Sequence, residues 1–176
     1  MERIGWIGAG IMGKPMARNL MKAGYEVHVY ARHPEKVADI VEEGATFHAT
    51  IADCVRASDV VITMVVFPSD VEDVYFTREN IMDSTEAGKV LIDMTTTSPA
   101  LSKKLYDEGK RRGLSVLDAP VTGGDSGART GRCPFSSEET RMCMRSAARC
   151  FLQWAPASPT SDRRDAASTP RWPTRS

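Results

Sequence analysis

Three observations predict an α/β fold built on a doubly wound parallel sheet. Short apolar, β-branched runs alternate with amphipathic helical stretches over the first two thirds of the chain. Each connection between successive strands is long enough for a right-handed crossover. The first strand runs straight into Gly8-Ala9-Gly10-Ile11-Met12-Gly13, a G-x-G-x-x-G that opens a helix at once. At 176 residues the expectation is a single domain large enough for a real core.

In chain order, Glu2–Ile7 reads as a strand and Ile11–Ala23 as a helix with Met12, Met16, Leu20 and Ala23 on one face, stopped by Gly24. Tyr25–Tyr30 alternates as a strand. The next helix carries Pro34 at its first position and is closed by Gly44. Thr50-Ile51-Ala52-Asp53 has the form of a capping box, and Asp59–Val65 reads as a buried parallel strand. Ser69-Asp70-Val71-Glu72 predicts a second capping box, Lys89–Asp93 a strand, and Ser98-Pro99 the cap and first residue of a helix ending near Arg112-Gly113. Leu114–Asp118 reads as the last strand.

The glycine turn carries the chemistry. In this context Gly8 makes a tight turn, Gly10 lets a pyrophosphate approach the backbone, and Gly13 lets helix and strand pack closely. The helix start offers free N–H groups and the positive end of its dipole. The sequence therefore predicts a Rossmann-like dinucleotide-binding domain. An NAD site wants an acid about 20 residues beyond the glycines, at the end of the second strand. Here that strand ends Tyr30-Ala31-Arg32-His33, without an acid. Arg32 is suited to a 2′-phosphate, so NADP is the expected cofactor and NAD the other option. Val65, Val66 and Thr96 lie just past strand ends, at the edge where a ligand rests in an open α/β sheet. Thr122, Gly123 and Gly124 form a backbone able to wrap a small anion. No residue is assigned as catalytic: Asp93 and Asp118 are the nearest carboxylates, and neither is promoted to that role.

Composition narrows the classes further. Net charge is zero, which gives no reason to expect a nucleic-acid or membrane partner. No apolar run is long enough to span a bilayer, and a cytoplasmic location is expected. The four cysteines do not make a disulfide scaffold, and Cys133, Cys143 and Cys150 are not spaced as zinc ligands, so no metal site is expected.

Three segments in register carry a resemblance: Gly5–Ala17, Asp93-Met94-Thr95-Thr96-Thr97-Ser98-Pro99, and Asp118-Ala119-Pro120-Val121-Thr122-Gly123-Gly124. Over residues 1 to about 132 the chain resembles the β-hydroxyacid dehydrogenase family, which includes 3-hydroxyisobutyrate dehydrogenase and tartronate semialdehyde reductase. The resemblance implies an oxidoreductase moving hydride between NADP(H) or NAD(H) and a small 3-hydroxy acid or its semialdehyde. It places Gly8, Ala9, Gly10, Ile11, Met12, Gly13, Arg32, Val65, Val66 and Thr96 on the cofactor. Thr122, Gly123 and Gly124 fall on the substrate carboxylate. It also implies an all-helical second domain, bearing a catalytic lysine and the family's oligomer interface, which this sequence does not contain. A non-catalytic dinucleotide-binding module, or an inactive truncated product, is the alternative reading of function. A methyltransferase with the same turn is weakened by the motifs at Thr96 and Thr122.

The composition changes regime near residue 129. From Arg129 onward there are nine arginines and no lysine, whereas all seven lysines lie at or before Lys110. With the frame advanced by two bases and permitted codons, Ser136–Arg145 reads Val-Gly-Gly-Asp-Glu-Asp-Val-Tyr-Glu, where the family continues with Val-Gly-Gly. The expected division is therefore a dinucleotide-binding domain over 1–132 and a frame-shifted, disordered tail over 133–176. The other reading of that tail is a genuine C-terminal extension.

Overall fold

A computed structural model describes residues 3–77, 80–121 and 124–130. Six parallel strands form one sheet in the order β3-β2-β1-β4-β5-β6. The strands are β1 (Arg3–Ile7), β2 (Glu26–Tyr30), β3 (Thr46–His48), β4 (Val60–Thr63), β5 (Val90–Asp93) and β6 (Ser115–Asp118). Helices α1 (Gly13–Lys22), α2 (Ala38–Glu42), α3 (Ile51–Arg56), α4 (Pro68–Phe76), α5 (Ile81–Ser84), α6 (Pro99–Arg111) and α7 (Gly124–Thr130) supply the crossovers and coverings. The doubly wound parallel sheet is as expected. The direction of winding reverses at β1, so the carboxyl ends of β1 and β4 flank the crevice where such sheets hold ligands.

Alternation along the strands explains why both faces are covered. Ile4, Trp6, Ile62 and Ile92 point into one core with Met16, Leu20 and Ile40. Ile7, Val61 and Leu91 point into the other, with Val71, Tyr75 and Leu105. Successive side chains alternate faces with period two, so a strand buried on both sides must be apolar throughout. All four residues of β4 are buried, whereas none of β6, at the sheet edge, is fully buried.

Several element boundaries differ from expectation for local reasons. The Pro34 segment forms a single 3-10 turn, Pro34–Lys36, before α2 starts at Ala38. Thr50 caps α3 as its motif predicts, accepting from Asp53 N at 3.1 Å. At α4 the cap lies two residues earlier than Ser69 and Glu72 suggest. Pro68 occupies the first turn, Phe67 is the flanking residue, and the Asp70 carboxylate accepts from Phe67 N at 3.1 Å. Three short elements escape the sequence pattern: β3, α5 with Asn80 as its cap, and α7. The amino end of β1 is fastened to the residue before β4, where Arg3 Nη2 donates to Asp59 Oδ1 at 2.7 Å.

Candidate functional site

Register brings the strand ends into one row. Ile7 lies opposite Tyr30 on one side and Thr63 on the other, Thr63 opposite Asp93, and Asp93 opposite Asp118. The segments leaving Ile7, Tyr30, Thr63, Asp93 and Asp118 therefore emerge side by side. That is how one edge collects residues spread over more than a hundred positions. Backbone bonds continue just past the row: Met64 N donates to Ile7 O at 2.9 Å, Met94 N to Thr63 O at 2.9 Å, and Ala119 N to Asp93 O at 2.7 Å.

The three glycines after β1 have distinct surroundings. A Cβ on Gly8 would lie 2.2 Å from the Met64 carbonyl oxygen, and Gly8 holds φ +105°, a region that favours glycine. A Cβ on Gly13 would lie 1.9 Å from the Gly8 carbonyl oxygen. That same oxygen accepts from Trp6 Nε1 at 3.2 Å. A Cβ on Gly10 would meet nothing within 4 Å among the described residues. Two glycines are thus required by the protein's own packing, and the middle one borders open space, as close approach of a pyrophosphate demands. No side chain caps the start of α1 and no acid stands in its first turn. Among the described residues, nothing on this helix offsets the positive end of its dipole.

Apolar groups line the same edge. Ile11 is 77 % exposed, Val66 71 % and Phe67 61 %, and all three stand in segments following β1 or β4. Ala9, Met12 and Val65 are half-buried. Exposed apolar side chains gathered beside an uncapped helix start fit the flat faces of a dinucleotide. Val65 is fixed by its N–H, which donates to Thr95 Oγ1 at 3.1 Å and ties the segment after β4 to the one after β5. Thr95 is buried and Thr96 exposed, so Thr96 is the threonine presented outward and Thr95 the support.

Beneath that support lies Asp93, 1 % exposed. Its Oδ1 accepts from Thr63 Oγ1 at 2.8 Å and from Thr95 N at 3.1 Å, while Oδ2 has no hydrogen-bond partner among the described residues. Burial pushes the Asp93 carboxyl above its ordinary pKa, opposed by the Thr63 and Thr95 hydrogen bonds and assisted by the charge of Asp118. Tyr75, fully buried beside Thr63 (hydroxyl oxygens 3.1 Å apart), is also raised by burial.

Arg32 lies where expected, just past β2 and exposed, but it has a partner that the linear sequence does not reveal. Its Nη2 donates to Asp70 Oδ1 at 2.8 Å. Thr122 and Gly123 lie outside the described residues, as does the tail over 133–176. Gly124 is the first residue of α7, at φ +57°. α7 packs on α1 through buried Ala128, whose carbonyl accepts from Asn19 Nδ2 at 2.8 Å. Among the described residues no group of three metal-ligating side chains converges, and no helix is long and apolar enough to cross a membrane.

Comparison with known proteins agrees with this geometry. The family described as the NAD binding domain of 6-phosphogluconate dehydrogenase matches residues 3–153. An uncharacterized oxidoreductase, YkwC, of Bacillus subtilis is 48 % identical over 130 residues, covering 74 % of this chain and 45 % of that one. The 3-hydroxyisobutyrate dehydrogenase of Pseudomonas aeruginosa is 37 % identical over 135 residues, covering 77 % of this chain and 45 % of that one. The solved Mycobacterium tuberculosis 3-hydroxyisobutyrate dehydrogenase with L-serine superposes with a TM-score of 0.77 at 27 % identity, covering 88 % of this chain and 52 % of that one. The chain thus spans less than half the length of these two curated relatives.

Proposed function

The chain belongs to the family of the NAD binding domain of 6-phosphogluconate dehydrogenase, with 3-hydroxyisobutyrate dehydrogenases among its relatives, and from that membership we propose that it is the nucleotide-binding half of an oxidoreductase that prefers NADP(H) and acts on a small 3-hydroxy acid or its semialdehyde. One observation carries the reading: Gly8 and Gly13 are closed by packing while Gly10 borders open space. A bound nicotinamide supplies or accepts the hydride. The chain's own residues bind and orient. The backbone at Gly10 and the start of α1 receive the pyrophosphate, Ile11, Val65 and Val66 cover apolar surface, and Thr96 faces the nicotinamide end. Arg32 pairs with the 2′-phosphate, and the segment containing Thr122, Gly123 and Gly124 takes the substrate carboxylate.

Turnover by the 176-residue chain alone is expected to be poor. The resemblance assigns the general acid/base to a lysine of the helical domain, and a positioned general base contributes about 10²–10⁴-fold. The loss of lysine after Lys110 and the recovered Val-Gly-Gly segment support reading residues 133–176 as a shifted frame. Resequencing the codons for Thr130–Cys133 decides that point. The functional test is titration with NADPH and NADH, together with an assay on 3-hydroxyisobutyrate of this chain beside the frame-restored product. Arg32→Ala should weaken NADPH about 10–100-fold, the worth of a charge-assisted phosphate pair at roughly 1.5–3 kcal/mol, and leave NADH nearly unchanged. Equal loss for both nucleotides, or turnover by the short chain equal to that of the restored one, would overturn the reading.

A further inference from the structure

The end of β2 lacks the acid that an NAD site wants, yet the fold delivers one from elsewhere. Asp70, in the first turn of α4, stands with Oδ1 2.8 Å from Arg32 Nη2. Its other oxygen, Oδ2, is held by Phe67 N at 3.1 Å. The Asp70 side chain is 19 % exposed and anchored to backbone, whereas that of Arg32 is 56 % exposed. Arg32 follows β2 and Asp70 follows β4, the two neighbours of β1, so the ion pair reaches across the carboxyl end of the strand that carries the glycine turn. Any ligand group read by the Arg32 guanidinium lies within a few ångströms of the Asp70 carboxylate.

We propose that Asp70 is the second reader of the ribose 2′ position: a fixed carboxylate that favours a 2′-hydroxyl and opposes a 2′-phosphate, setting how far Arg32 can tilt the chain toward NADP(H). The chemistry has one sign. A carboxylate accepts from a hydroxyl but repels a phosphate, and it occupies a donor that the phosphate would use. The Arg32–Asp70 pair itself is exposed and contributes little to folding, so its effect falls on the choice between nucleotides. This inference rests on the nucleotide-binding reading above.

The test uses the full 176-residue chain, as wild type, Asp70→Asn, Asp70→Glu and Arg32→Ala, each titrated with NADPH and with NADH. Backbone amide NMR shifts extend the range to millimolar dissociation constants, and a melting curve checks each fold. Asparagine keeps an acceptor for Phe67 N while removing the charge. Asp70→Asn should move the NADPH-to-NADH affinity ratio toward NADPH by about 3- to 30-fold, the scale of one nearby, partly screened charge. Asp70→Glu should stay near the wild-type ratio, and Arg32→Ala should move it the other way. A ratio that is unchanged or shifted toward NADH in Asp70→Asn overturns the inference, as does Asp70→Glu behaving like Asp70→Asn. If NADPH binding depends on Arg32 while Asp70→Asn is silent, only this inference falls. If neither nucleotide perturbs the wild-type chain at millimolar concentration, the nucleotide-binding reading falls with it.

Discussion

Glycines follow β1 and β6, and those the structure describes, Gly8 and Gly13 in the first turn and Gly124 in the second, are required for different reasons. After β1, added carbon atoms at Gly8 and Gly13 would strike backbone carbonyls at 2.2 and 1.9 Å. After β6, a Cβ on Gly124 would meet nothing within 4 Å among the described residues, and its φ of +57° asks for glycine. The first turn is held from several directions by β4, Trp6 and α1. Gly124 depends on its own backbone conformation, at the start of the helix that rests against α1. Gly8 and Gly13 are thus fixed by tertiary packing, and Gly124 by its local backbone conformation.

The strongest way to break this comparison is Gly13→Ala. It should cost about 3 kcal/mol or more in urea unfolding, the upper end of the overpacking range, because a backbone carbonyl cannot move aside as a flexible side chain can. If Gly13→Ala folds as stably as wild type, the packing account of the first turn is wrong. Gly10→Ala sharpens the contrast within that turn. Stability should stay within about 0.5 kcal/mol, while NADPH affinity falls at least about tenfold, since the new methyl occupies the phosphate approach. Titration beside a melting curve separates the two effects.

Gly124→Ala should cost only about 1–2 kcal/mol, the penalty of a left-handed residue, and Gly124→Asn less. Equal losses for Gly13→Ala and Gly124→Ala would erase the distinction between the turns.

The smallest effect is a pH signature that separates the two ends. Behind the first turn, Lys14 and Arg18 hold the Asp39 carboxyl down at about 2. Its stabilisation is present above the ordinary value of 3.8 and is lost as pH falls through about 2. Asp39 is half exposed, so its worth stays below about 1 kcal/mol. Toward the second turn, burial raises Asp93. The folded state then binds its proton more tightly than the unfolded chain, so stability falls as pH rises from 3.8 through the raised value. Asp93→Asn should flatten that decline in melting temperature above pH 3.8, and Asp39→Asn should flatten only the acid limb.

The glycine turn, the strand alternation and the Thr50 and Ser98 caps were legible because each is a local pattern with one physical meaning. Ser98 Oγ accepts from Leu101 N at 3.3 Å, as its position before Pro99 implies. The other site features depend on tertiary placement. Asp70 reaches Arg32 across 38 residues, and nothing near Arg32 in the sequence points to it. Which threonine of Thr95-Thr96-Thr97 faces outward is set by where β5 ends and by the Val65 N–H above it. At three residues, β3 is too short to show an alternating pattern and gains its identity from pairing with β2. The α4 cap was misplaced because Asp70 reaches back to Phe67, past the Ser69 that resembles a cap.

The position of β1 has a consequence for biosynthesis. The strand made first lies in the interior of the sheet, joined early by β2 and on its other flank only by Val60–Thr63. At about 5–20 residues per second, the stretch from Tyr30 to Thr63 takes a ribosome roughly 2–7 s. During that interval Ile4-Gly5-Trp6-Ile7 offers an apolar, unpaired edge to whatever is nearby. The Arg3–Asp59 pair can close only when that wait is nearly over. Translation speed between these two strands is therefore a handle on soluble yield: slow codons there lengthen the exposure of the future centre of the sheet, and fast ones shorten it.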